Sequence, residues 1–138
     1  MMATVKQQQS TALSPTANDL LMLMPRRLLN GEAAVFFLSA VALYVQQGGS
    51  LILFVVLILA PDLGMLGYLA NARVGSVVYN TIHFYLLPVA LIGLSLAASS
   101  TIGVQIGLIW FAHISMDRIA DYGLKYPTVF KDTHLQHV

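Results

Sequence analysis

Glu32, Asp62, His83, His113 and Asp117 each interrupt or border one of the long apolar runs of this chain. Ionisable groups are costly inside a bilayer and are kept there paired, facing the bundle interior, for a functional reason. Two imidazoles and two or three carboxylates are a ligand set for zinc, manganese or ferrous iron. Asp117 follows His113 by one helical turn, so it either ligates beside that ring or orients it from behind. A metal held in this way activates water for hydrolysis, and Glu32 is the spare carboxylate for the role of base. The spacing matches no zinc signature of the HExxH kind. The same residues also describe a buried hydrogen-bond network that fixes helix packing. Glu32 in particular can instead pair with Arg26, Arg27 or Arg118 at the interface.

The elements that must position these groups are membrane helices. The 138 residues are 57% hydrophobic and 9% charged, with a mean hydropathy of +0.75; soluble domains carry about 25% charged residues. Four apolar runs stand out, from about 28 to 46, 50 to 69, 75 to 98 and 101 to 117, the last fraying toward Gly123. A bilayer core takes about 20 helical residues, so each run suffices, the fourth barely. The turns between them are short: Gln46-Gln47-Gly48-Gly49, Asn71-Ala72-Arg73 and Ser99-Ser100. Short connections make antiparallel neighbours. The expected fold is therefore all-α, a four-helix transmembrane bundle running up-down-up-down.

Orientation comes from the basic residues. Lys6, Arg26 and Arg27 precede the first span, Arg73 lies between the second and third, and Arg118, Lys125 and Lys131 follow the fourth. All seven fall on one side, which by the positive-inside rule makes both termini cytoplasmic. Counting about 1.5 Å per helical residue, Glu32, Asp62, Asn80, His83, His113 and Asp117 all lie roughly 6–15 Å in from that side. The outer halves hold no ionisable side chain. One cytoplasm-facing site is expected, with Tyr79, Asn80 and His83 sharing a helix face.

Pro61 and Pro88 each remove a backbone donor, loosening the helices near Leu57 and Phe84, on either side of the candidate ligands. With Gly64 and Gly67 behind it, Pro61 leaves 61–68 partly unwound. Three parts result: residues 1–25, a disordered or interfacial tail with Leu20–Met24 stopped by Pro25; 26–122, the membrane domain; and 123–138, a cytoplasmic tail. Asp132 and His134 of that tail are weaker candidate ligands, able to fold over the mouth of the site, and His137 reads as solvated. Tyr68, Tyr79, Tyr122 and Tyr126 read as interfacial anchors. No basic run or nucleic-acid motif is present, so no nucleic-acid partner is expected. The absence of cysteine excludes disulfides, thiolate zinc sites and iron–sulfur clusters.

Several segments are distinctive in combination: APDLGMLGY at 60–68, YNTIH at 79–83 with Pro88, HISMDR at 113–118, YGLKYP at 122–127 and FKDTHL at 130–135. Together, from about Arg26 to Leu135, they resemble a bacterial family of small four-span membrane proteins of unknown function. In that pattern the matching positions are Glu32, Asp62, Asn80, His83, His113, Asp117, Arg118, Asp132 and His134. Asp121 stands where the pattern has glycine, a change read as compatible with a surface position. The resemblance implies an inner-membrane, multi-pass protein and carries no activity. The Pro-Asp segment and His-x-x-x-Asp also resemble motifs of membrane-bound metal-dependent hydrolases. Three functions fit these residues: a metal-dependent hydrolase acting on a lipid-like substrate, a small proton-coupled carrier, and a structural subunit that binds a membrane protein partner.

Overall fold

The structure is a computed structural model that describes residues 17–127 and 133–136, with side chains from Met24 onward. Its regular structure is helical. Helix α1 spans Ala17–Gln46, α2 Leu51–Leu57, α3 Ala72–Ile82, α4 Leu86–Ala97 and α5 Thr101–Ile119. A 3-10 helix, Ala60–Leu69, follows α2, and a short one, His134–Gln136, closes the described tail. Three stretches are long and apolar enough to cross a membrane: Met24–Gln46, Leu51–Leu69 and Ala72–Ala97. Many of their exposed side chains are large and apolar, among them Leu51, Ile52, Leu66, Leu69 and Leu94.

Helix α5 is the axis of the molecule. Helices α1 and α4 pack along it, α2 and the 3-10 helix touch it, and α3 packs on the 3-10 helix. Ile109, Ala112, His113, Ile114 and Ser115 are almost wholly buried. Gly107 makes the α4 contact possible, since a Cβ there would collide with the Ile92 side chain and crowd the Pro88 carbonyl. The turns use residues suited to them. Gly48 takes a positive φ, and Ser50, Asn71 and Ser100 each accept a bond from the first turn of the helix that follows.

The two prolines act as their chemistry requires. The second apolar run is not one α-helix: α2 ends at Leu57 and, from Ala60, the chain tightens into the 3-10 helix that carries Pro61 and Asp62. The third run is likewise two helices, broken at 83–85. Pro88 offers no N–H to Phe84, and the Leu87 N–H bonds the Phe84 carbonyl instead, at 3.2 Å. The carbonyls exposed by that break are met from α5: Trp110 Nε1–H donates to Ile82 O at 2.8 Å, and Arg118 to His83 O at 3.5 Å. Irregular backbone at membrane depth is tolerated where protein satisfies it in this way.

Pro25 does not stop a helix, contrary to expectation. Helix α1 begins eight residues before it and runs through. A proline forfeits one i→i−4 bond, and here there are helical turns on both sides to continue the path.

Candidate metal centre

Each loosened segment delivers one side chain to a common point. Asp62 comes from the first turn of the 3-10 helix and His83 from the end of α3, while His113 and Asp117 stand one turn apart on α5. One ligand atom from each of the four lies within 4.8 Å of the other three. His83 Nε2 is 3.0 Å from His113 Nε2. It is also 3.7 Å from Asp62 Oδ1 and 3.4 Å from Asp117 Oδ2. His113 Nε2 is 3.5 Å from Asp62 Oδ1 and 3.7 Å from Asp117 Oδ2. A tetrahedral ion with ligands at about 2.0–2.1 Å has ligand–ligand edges of ~3.3 Å. These five separations scatter around that edge.

The tautomer of His83 is fixed. Its Nδ1–H donates to the Tyr79 carbonyl at 2.9 Å, which leaves Nε2 as a bare lone pair in the neutral ring. A backbone carbonyl behind the ring is the usual outer partner of a ligating histidine. The ring also stacks on that of Tyr79, with centroids 3.7 Å apart. Tyr79 donates its hydroxyl to Asp117 Oδ2 at 3.0 Å, so one residue orients both a histidine and a carboxylate. His83 and His113 are essentially inaccessible, Asp117 is 15% exposed and Asp62 38%. Asp62 is therefore the open side of the group. It faces a cavity of about 200 Å³ that is also lined by Met65, Tyr79, Asp117, Tyr122 and Lys125.

The C-terminal segment reaches this cavity. Asn80 clamps the backbone of Lys125, donating Nδ2–H to its carbonyl at 2.8 Å and accepting its N–H at 2.6 Å. Lys125 also bridges to Thr133, and His134 N–H bonds the Leu124 carbonyl at 3.0 Å. The Leu124 N–H returns to His134 Nδ1 at 2.8 Å. Gly123 lies so close that a Cβ would strike the His134 ring. The Lys125 ammonium stands 4.4 Å from the Tyr79 ring centroid and 5.4 Å from that of Tyr68. Burial draws its pKa down, and Asp117 and Asp62 pull it back up. Burial likewise lowers the pKa of His134, with the Arg118 charge adding to the effect.

Of the residues the sequence singled out, Asp62, His83, His113 and Asp117 are brought together. Asn80 serves the tail and not the centre. Glu32 stands apart, exposed on α1 and lining a different cavity with Arg118, Tyr85 and His134. Among the described residues Glu32 forms no ion pair with Arg26; that guanidinium pairs with Asp121, at 2.6 and 2.9 Å. Asp121 also accepts from Asn30 at 2.8 Å, and the Arg26 and Asn30 bonds hold its pKa below the usual carboxylate value. Its φ of 64° lies in the left-handed region, which glycine enters without strain and aspartate tolerates. Asp121 is thus a structural tie between α5 and α1, more than a change that the surface permits. His134 belongs to the tail latch and not to the four-residue group. Asp132 and His137 lie outside the described residues.

The sequence reading misjudged one residue and passed over another. Tyr79 is no interfacial anchor; it is buried against the histidines. Its i, i+4 spacing to His83 was the available signal. Lys125 gave none, because the loop of 120–125 and the Asn80 clamp place it.

Fold and site together define a helical protein of membrane-spanning composition with a buried His/Asp group able to hold a metal ion. The sequence profile of a domain of unknown function, DUF4260, matches residues 26–138, and the chain belongs to that family. No curated protein and no solved structure matches it.

Proposed function

We propose that this protein is a four-span metalloenzyme of the bacterial inner membrane, with both termini cytoplasmic, that hydrolyses a lipid-like substrate. The single observation that carries the reading is the convergence of His83 Nε2, His113 Nε2, Asp62 Oδ1 and Asp117 Oδ2, each nitrogen 3.0–3.7 Å from the other nitrogen and from both oxygens. Neutral imidazoles with carboxylates suit zinc, manganese or ferrous iron. When bound, such an ion lowers the pKa of a coordinated water and polarises an ester oxygen. The chain's residues supply the rest. Tyr79 holds Asp117 and His83 in register, the buried rings exclude water from behind, and Asp62, which lines the cavity, would receive a proton. Glu32, in its separate cavity, is replaced by Asp62 as the base. The seven basic residues on one side support the orientation.

Metal analysis of protein purified in detergent without chelator tests the core of the proposal. One ion per chain is expected, lost in His83→Ala and His113→Ala. Protein that holds no metal, and whose melting ignores added zinc, manganese and iron, would leave a structural hydrogen-bond network as the better account. A C-terminal reporter active only outside the cytoplasm should stay silent; activity would reverse the topology.

A further inference from the structure

We propose that the furrow between α1 and α4 is a binding site for a zwitterionic phospholipid, with Arg118 receiving the phosphate, Glu32 the ammonium and the apolar walls one acyl chain. Helices α1 and α4 each pack along α5, and residues of all three line the space between them. Next to the C-terminal tail this space is a cavity of about 230 Å³, lined by Glu32, Phe36, Tyr85, Arg118 and Leu135. Phe36 also lines the apolar groove of about 300 Å³ that follows, between Leu43 of α1, Ile92 of α4 and Leu108 of α5. Helical spacing makes the two continuous. Leu29, Glu32, Phe36, Ala40 and Leu43 recur every three or four residues as one stripe of α1. Leu108, Phe111 and Arg118 do the same along α5. None of the four residues of the His/Asp group lines either space.

Charge selects the headgroup. Glu32 and Arg118 line one cavity, yet among the described residues Glu32 makes no ion pair and no hydrogen bond. Arg118 reaches the Tyr122 and His83 carbonyls only at 3.5 Å and also meets the Tyr85 side chain. A guanidinium carries five N–H donors in a fork that fits phosphate, so donors remain for a ligand. His134, the other polar residue of the cavity, is occupied by the tail, its Nδ1 accepting the Leu124 N–H. One anion would satisfy the arginine and leave the glutamate unmatched; a headgroup with phosphate and ammonium answers both. Length selects the chain. Glu32 and Leu43 are separated by roughly 16 Å along α1, which is the depth of one leaflet in a hydrocarbon core of ~30 Å.

The test is calorimetric titration of full-length protein in a non-ionic detergent with three probes. Lysophosphatidylethanolamine carries phosphate, ammonium and chain; lysophosphatidylglycerol lacks the ammonium, and glycerophosphoethanolamine lacks the chain. The first is expected to bind about 10- to 100-fold more tightly than the second, and more tightly than the third. Glu32→Gln should erase the preference over lysophosphatidylglycerol, and Arg118→Gln should weaken both lysolipids by a similar factor. Equal affinity of the wild type for the two lysolipids would overturn the zwitterion, and equal affinity for glycerophosphoethanolamine would overturn the acyl groove. A preference that survives in Glu32→Gln would refute the role of the glutamate. If Arg118→Gln does not fold, dodecylamine decides on the wild type: binding as tight as that of lysophosphatidylethanolamine would refute the phosphate contact. The affinities should be the same with zinc and under chelation; binding that requires zinc would move the site to the His/Asp group and overturn the assignment.

Discussion

Replacing Asp62 by asparagine separates a metal centre from a hydrogen-bond network by the sign of two effects. Asp62 is the most exposed of the four residues and its Oδ1 is 3.5 and 3.7 Å from the two Nε2 atoms. Asparagine keeps the volume and removes the charge. Without metal, the two carboxylates of the group repel one another, so Asp62→Asn should leave the melting temperature of chelated protein unchanged or slightly higher. With metal at 100 times its Kd, the wild type gains about 2.7 kcal/mol by preferential binding to the folded state. Loss of a direct ligand costs at least the ~100-fold that the loss of an outer partner reaches, so the gain in the variant falls to about 0.4 kcal/mol. The difference is about 2.3 kcal/mol, or roughly 5–9 °C for a chain of this size. The assay is thermal melting in detergent, followed by circular dichroism, with and without zinc. A variant that melts well below the wild type under chelation, and shifts as much as the wild type with zinc, would refute the reasoning. Asp62 would then act as the partner of a protonated histidine and not as a ligand.

Tyr79→Phe removes the hydroxyl that holds Asp117, and should weaken metal binding about 10- to 100-fold while costing about 1 kcal/mol of stability; competition with a zinc chelator measures the first and melting the second. Asn80→Ala breaks both bonds to Lys125, and should speed proteolysis of the tail without changing metal content, as read by mass spectrometry of the fragments. Asp121 has a pKa lowered by folding, so its contribution is full above the ordinary value of 3.8 and is lost as the pH falls below it; Asp121→Asn should flatten the acid limb of the melting curve. His134 is also lowered, from 6.5, and its Nδ1 must stay bare to accept the Leu124 N–H. Docking of the tail is thus at full strength above pH 6.5 and weakens as the pH falls through the lowered value; hydrogen exchange at Leu124 should accelerate there, and His134→Ala should abolish the dependence.

Composition and punctuation are local properties, and the sequence determined what depends on them. The apolar runs, the turns at Gly48, Asn71 and Ser100, and the loosening at Pro61 and Pro88 were legible because each follows from the chemistry of a few adjacent residues. So was the meeting of Asp62, His83, His113 and Asp117, since charge in an apolar run is too costly to be left alone and helical spacing aligns His113 with Asp117. Tertiary structure decided the rest. Only packing on α5 meets the carbonyls freed by the break in the third run, with Trp110 and Arg118. Only the left-handed turn at Asp121 and the reach of Asn80 across 45 residues bring Lys125 over the site. Glu32 shows the converse. Its depth matched that of the ligands, but depth fixes distance along a helix and not rotation about it, and α1 presents Glu32 to another cavity. Contacts between residues far apart in the chain carry no periodic signature, so the tail, its lysine and the rotation of α1 became visible only in the folded molecule.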